Sequence, residues 1–376
     1  MSLFIRRYVC ASALSVCALL GQAAAADQTA TPTATPASAP VTLPYTAVTA
    51  ARLHHPEASN WLMYRRTYDS WGYSPLKQID TSNVANLKPL WSFSTGVEEA
   101  HQSPPLVNDG IMFITTPRDQ VLALDARSGE LLWRYRRELP ADLFQLHPTN
   151  RGVALYGDRV YIATVDAFLV ALDARTGKVV WEKQVEDYLA GYYMTLAPLA
   201  VDDKIMVGVS GGEFGIRGFI QAFNAESGDS LWKTFTVPGP GEPGHDSWPG
   251  DTWKHGGVPV WLTGSYDADT HLAYWGTGNP GPWMPDARAG DNLYANSVIA
   301  VDVTTGAIRA HHQYHWADAW DWDEVAAPLL IDLKRGDHHQ GLSPCRPRWL
   351  FVVPRTQRAR HSLRRGCALR TSECIY

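Results

Sequence analysis

The sequence predicts an all-β repeat protein built from propeller blades. The first observation is one phrase that recurs: ALDARSGELLW at 123–133, ALDARTGKVVW at 171–181 and AFNAESGDSLW at 222–232, with a weaker fourth copy, AVDVTTGAIRA, at 300–310. The second is spacing. The first three copies begin 48 and 51 residues apart, about the length of a four-stranded blade rather than of a helical or leucine-rich repeat. The third is composition: 30 Gly, 25 Pro and 15 Trp among 376 residues, with runs such as GDRVYIATV and AYWGTGN, argue for many short strands joined by tight turns.

Each copy reads as an apolar strand, a tight Asp-x-x-(Ser/Thr)-Gly type of turn and a second strand that closes on Trp. Gly129, Gly177 and Gly228 suit the positive φ of such turns. Trp133, Trp181 and Trp232 recur at one position, where a flat ring can fill the space between neighbouring blades. From Ala222 to Ala300 the interval lengthens to 78 residues, so roughly 30 are inserted. That stretch is rich in Trp, Gly and Pro, and insertions in repeat proteins map to loops on one face, so function is expected here first.

The N-terminus carries an address. Arg6 and Arg7 precede an apolar run from Tyr8 to Leu20 and the small residues Ala23 to Ala26, the order of a secretory signal peptide. The run is too short to span a bilayer. Residues 1–26 are therefore expected to be cleaved and 27–44, rich in Thr, Ala and Pro, to form a disordered leader. No Cys occurs between 27 and 344, so the core depends on packing and not on disulfides. The segment 343–376 holds three Cys (Cys345, Cys367, Cys374) and eight Arg with no Lys, against a net charge of −5 for the whole chain. A basic tail can bind nucleic acid or anionic lipid. The reading adopted is that a shift of reading frame near Leu342 replaced native sequence, so no nucleic-acid partner is expected.

Five landmarks point to a family: NRGVALYGDRVY at 150–161, VGVSGGEFGIRGF at 207–219, GDTWKHGGVPVW at 250–261, YWGTGNPGPW at 274–283 and WDWDE at 320–324. Residues 60–342 resemble the quinoprotein alcohol dehydrogenases, periplasmic eight-bladed propellers that use pyrroloquinoline quinone and a metal ion. The resemblance implies a partial propeller over 45–342, roughly six units long and therefore incomplete.

The resemblance places Arg151 against a cofactor carboxylate, where its planar fork of donors suits bidentate recognition. Thr195 and Ser210, with Gly211 and Gly212, resemble the family's cofactor-contacting positions, and Trp261 the indole that lies flat beneath the quinone. Glu213 sits at an apolar strand end, where an acid is costly to bury unless paired or metal-bound. Its alternatives are a salt bridge to Arg217 or, by resemblance, a metal ligand. Asn279, in GTGNPGPW, is a turn Asn or, by resemblance, a ligand through its carbonyl oxygen.

On a strand Asp321 and Asp323 would share one face while Trp320, Trp322 and Glu324 point the other way. Two carboxylates on one face repel unless a cation or proton lies between them. The resemblance makes Asp321 the catalytic base, and the further acid at Asp323 matches the lanthanide-using branch. Glu213, Asn279, Asp321 and Asp323 form an all-oxygen set suited to Ca²⁺ or a lanthanide(III) ion. The implied reaction converts a small alcohol to an aldehyde by hydride transfer to the quinone, with Asp321 taking the hydroxyl proton.

No CxxCH occurs, so a separate periplasmic carrier, a cytochrome c, is the expected acceptor. A homodimer is compatible with this reading. Gln145 and Leu146 stand where the family carries two adjacent cysteines, Gln102 stands where many members have Glu, and a further cofactor arginine is expected just past 342, unassignable to Arg346 or Arg348. The frame-shift reading makes this chain alone inactive. The alternatives are a non-catalytic periplasmic scaffold, which would not need those four oxygen ligands together, and a sugar-oxidising quinoprotein.

Overall fold

The computed structural model describes residues 44–332 and the backbone of two short strands, Arg348–Phe351 and Ala368–Arg370. The expected signal peptide, nearly all of the leader, the frame-shift junction and the three tail cysteines lie outside the described residues. All the described residues fall in one compact unit.

Five antiparallel meanders succeed one another, each pairing its strands in chain order. The first holds β1 (Leu106–Asn108), β2 (Ile111–Thr116), β3 (Gln120–Asp125) and β4 (Leu131–Arg136). The second holds β5 (Ala154–Tyr156), β6 (Arg159–Ala163), β7 (Phe168–Asp173) and β8 (Val179–Gln184). The third holds β9 (Leu199–Val201), β10 (Lys204–Gly208), β11 (Phe219–Asn224) and β12 (Ser230–Phe235). The fourth holds β13 (Ser265–Asp267), β14 (Leu272–Gly276), β15 (Ser297–Asp302) and β16 (Ile308–Gln313). A three-stranded sheet comes last, made of β17 (Leu329–Asp332), β18 (Arg348–Phe351) and β19 (Ala368–Arg370). Five sheets stand where the sequence suggested about six units. Among the described residues, 71–105 belong to no sheet.

The recurring phrase is the outer hairpin of each four-stranded blade. Its alanine pairs with the closing position at Ala123↔Trp133, Ala171↔Trp181, Ala222↔Trp232 and Ala300↔Ala310, and the register slips just after that alanine in all four. The turn is built by its first residue. Asp173 Oδ1 accepts from the backbone N–H groups of Arg175 and Thr176 at 3.1 and 2.8 Å, and Asp125, Asn224 and Asp302 do the same. Gly129, Gly177, Gly228 and Gly306 take φ from 69° to 76°, as the turn reading requires.

The glycines also answer a packing demand. A Cβ on Gly177 would lie 2.5 Å from the Trp133 ring, and Gly129, Gly228 and Gly306 meet Trp91, Trp181 and Trp232 in the same way. Each closing ring therefore covers the turn of the next blade. Trp91 takes this role from the segment outside the sheets. Strands β3, β7, β11 and β15 are buried almost throughout, and their side chains join one apolar core running across the first four blades. The extra residues before the fourth phrase fall in two loops, 236–264 and 277–296, and the two share a small apolar cluster, Val237, Trp248 and Val258 from the first with Ala295 from the second.

Candidate active site

The ends of several blades enclose one cavity of about 290 Å³. Arg151 enters it from the loop before β5. Its guanidinium carbon lies 4.6 Å from the Trp261 ring centre, and Nη1 donates to Thr195 Oγ1 at 2.5 Å. Thr195 Oγ1 and Ser210 Oγ are 3.2 Å apart, both on buried residues. Cation, indole and two hydroxyls thus share one lining. Behind them the fully buried Asn150 donates to Asp119 and Ala163 O and accepts from Gly152 N–H, which fixes the backbone that presents Arg151. Burial pushes the Asp119 carboxyl up to about 7, against the donors Val165 N–H and Asn150 that favour its ionised form.

Gly211 lines the cavity at φ 108°, and a Cβ there would lie 2.1 Å from Gly191 O. Gly212 faces Pro259 and the Asn279 side chain instead. These two glycines start the single-turn 3-10 helix Gly212–Phe214 that carries Glu213. Two expectations for Glu213 change here. It is exposed at the cavity rather than buried in a strand end, so burial cost does not govern it. Arg217 does not pair with it, because that guanidinium binds Glu242 at 2.7 Å and lies 3.7 Å from the Phe235 ring centre.

The acidic motif is not a strand. Asp318 accepts from Trp320 N–H at 2.9 Å and Trp322 N–H at 3.1 Å, which bends the chain, and Asp321 takes φ 61°. Strand alternation therefore does not explain the pair, yet Asp321 and Asp323 both line the cavity. Glu324 turns to His315 at 3.1 Å. Burial, then the Asp321 and Glu213 charges, push the Asp323 carboxyl up to about 7, opposed by Asn279 N–H and the Trp261 indole. Asp321 is raised by burial and by Asp318, with Trp283 opposing. Asn279 is 1 % exposed, and neither Oδ1 nor Nδ2 of its amide has a hydrogen-bond partner. An unsatisfied buried amide costs about 1–3 kcal/mol. Its backbone N–H donates to Asp323 Oδ1 at 3.2 Å, so the orphaned amide adjoins the repelling acids.

That combination fits an oxygen-coordinated cation: an idle carbonyl oxygen and acids that a positive charge would relieve. Among the described residues, no three His, Cys, Asp or Glu side chains already close on one point. Glu213, Asp321 and Asp323 surround the cavity more loosely than a pre-formed cluster.

Tyr193, His147 and Pro259 also line the cavity and went unread in the sequence. Tyr193 stands two before Thr195, the same-face spacing of extended chain, and that signal could have found it. Gln102 and Leu146 line it as well, while Gln145 is turned into protein with a buried, unpaired Oε1.

Fold and site together define a propeller with a cavity suited to a planar, anionic organic cofactor beside a hard cation. Residues 61–343 match the family described as PQQ: Glucose/ethanol/alcohol dehydrogenase, beta-propeller domain. The chain belongs to this family of pyrroloquinoline quinone-dependent alcohol dehydrogenases. It is 44% identical over 284 residues to the quinoprotein alcohol dehydrogenase PedH of Pseudomonas putida, covering 70% of this chain and 48% of that protein. To the quinoprotein ethanol dehydrogenase of Pseudomonas aeruginosa it is 37% identical over 303 residues, 70% of this chain and 49% of the other. Among solved structures, a europium-containing methanol dehydrogenase superposes with a TM-score of 0.72 at 33% identity, over 81% of this chain and 57% of that one. The chain spans about half the length of the relatives it matches.

Proposed function

We propose that the full-length protein oxidises primary alcohols to aldehydes in the periplasm, using pyrroloquinoline quinone with Ca²⁺ or a lanthanide(III) ion. The observation that carries this reading is the gathering of Arg151, Thr195, Ser210, Trp261, Glu213, Asp321 and Asp323 around one cavity. Arg151 would grip a cofactor carboxylate with its planar fork, Thr195 and Ser210 would supply hydroxyl partners, and the Trp261 indole would support the ring. Glu213, Asn279 Oδ1, Asp321 and Asp323 would hold the cation. Bound there, the quinone and its cation would supply an electrophilic carbon that accepts the alcohol's carbinol hydride. Asp321, raised by burial into a better base, would take the hydroxyl proton on its carboxylate oxygen.

The second acid at Asp323 favours a trivalent ion, and the europium in the methanol dehydrogenase named above supports that choice. The acceptor in this reading is a separate cytochrome c, and the N-terminal segment is the export signal. No described helix is long and apolar enough to cross a membrane. With five sheets described against eight in a closed ring, the 376-residue chain by itself is expected to lack turnover.

The test loads the full-length protein with quinone and with Ca²⁺ or La³⁺, then follows ethanol oxidation with an artificial acceptor and with cytochrome c. Glu213→Ala and Asn279→Ala are expected to lose metal-dependent retention of the quinone, read from its absorbance after gel filtration. Wild-type retention in both variants would reject the metal assignment. A soluble wild type that retains no quinone would favour the non-catalytic scaffold.

A further inference from the structure

Arg288 lies in the single-turn 3-10 helix Pro285–Arg288, within the loop between β14 and β15, and is wholly buried. A buried guanidinium is costly unless its donors are matched. Here they diverge to three oxygen atoms: Nε donates to Pro282 O at 2.6 Å, Nη1 to Asn292 Oδ1 at 2.6 Å, and Nη2 to the carbonyl of Asp318. Asn292 Nδ2 in turn donates to Arg288 O at 2.9 Å and to Ser247 O at 3.2 Å. One cation therefore ties the 282–292 loop to the start of the acidic segment. Asp318 is the joint between them. Arg288 takes its carbonyl, while its carboxylate caps Trp320 and Trp322 and sets the bend that delivers Asp321 and Asp323 to the cavity.

We propose that Arg288 is a positioning residue that holds the Asp318-centred bend in place and so sets the geometry of Asp321 and Asp323 toward the cation. The proposal rests on the metal-dependent reading above. Only a planar fork reaches three divergent acceptors at once, and a lysine ammonium would satisfy fewer.

The test uses the full-length, quinone-free protein titrated with Tb³⁺ alone, with luminescence excited through nearby tryptophans, and records melting temperature in parallel. Wild type is expected to bind Tb³⁺ and Asp323→Ala to lose it. Arg288→Lys is expected to weaken Tb³⁺ binding tenfold or more at temperatures well below its own melting point. Asp318→Asn, which removes one of the two caps, should weaken it several-fold. In the loaded enzyme at saturating metal, Arg288→Lys should lower kcat at least tenfold with KM for alcohol within twofold. A merely structural arginine would lower the melting temperature and leave the Tb³⁺ Kd unmoved. Binding within twofold of wild type in a folded Arg288→Lys, while Asp323→Ala loses Tb³⁺, overturns the positioning role alone. Should Arg288→Lys fail to fold, Asp318→Asn decides, and a wild-type Kd there has the same meaning. Absence of Asp323-dependent Tb³⁺ binding in wild type overturns the metal reading itself, and this proposal with it.

Discussion

The indole of Trp133, on β4, covers Gly177, in the turn between β7 and β8, and its Nε1–H donates to Ala174 O at 3.0 Å. Ring and hydrogen bond act on the same turn, so one blade's last strand holds the next blade's outer hairpin by shape and by polarity.

Shape is tested by a pair of glycines. Gly110 has φ 84° with nothing within 4 Å of an added Cβ, whereas Gly177 has φ 69° and the Trp133 ring at 2.5 Å. Gly110→Ala is expected to cost about 1–2 kcal/mol from the left-handed backbone alone. Gly177→Ala should cost about 1–3 kcal/mol more from overpacking. Denaturant midpoints read the difference, and equal losses would mean that the ring tolerates a methyl group.

Polarity is tested at Trp181. The carbonyl equivalent to Ala174 O is Ala225 O, which already accepts from Arg159 Nη1 at 2.9 Å and from the Tyr161 hydroxyl at 3.0 Å. Trp181 Nε1 is left buried without a partner. Trp133→Phe should therefore destabilise by about 1 kcal/mol more than Trp181→Phe, because only the first breaks a hydrogen bond. The reverse order in thermal unfolding would show that ring area, not the indole N–H, dominates.

The two acids should separate by metal. In the full-length enzyme Asp321→Asn is expected to lose turnover while largely keeping quinone, since the amide cannot take the alcohol's proton. Asp323→Ala should lose La³⁺-supported activity and keep whatever Ca²⁺ supports. Parallel reconstitution with each ion is the assay, and equal loss with both would remove the lanthanide assignment.

Asp119 gives stability a pH dependence. Its folded pKa of about 7 lies above the unfolded value of about 4, so the native state binds the extra proton between them. The associated stability is full below about pH 4 and lost as pH rises through 7. Asp119→Asn removes that titration while keeping a carboxamide oxygen to accept from Val165 N–H. Wild type is expected to lose a few kcal/mol relative to Asp119→Asn between pH 4 and 7, a window roughly three pH units wide at about 1.4 kcal/mol each. Parallel stability curves for the two proteins would dismiss the buried acid as the source.

The outer hairpins were legible because their period, turn residues and closing tryptophans repeat in register. Trp91 was not, since its segment carries the ring without the strand and turn that precede it elsewhere. At the site, Arg151, Thr195, Ser210 and Trp261 could be named from family landmarks, and they do meet. The path of the acidic segment was hidden, because alternation of Trp and Asp looks like a strand, whereas the bend is imposed by a side-chain cap from Asp318. The burial of Arg288 was equally invisible, as its three acceptors come from backbone and amide groups brought close only by folding.

The covering of Gly129, Gly177, Gly228 and Gly306 by the preceding tryptophan gives the blades a direction, like overlapping roof tiles. Each turn is covered by a ring from the blade or segment before it. Damage at a single overlap should loosen the downstream tile first and fade with distance, since each repeat touches its neighbours and little else. A chain laid in this order can also secure each blade as it emerges, because the ring that will cover a turn is always made before the turn itself.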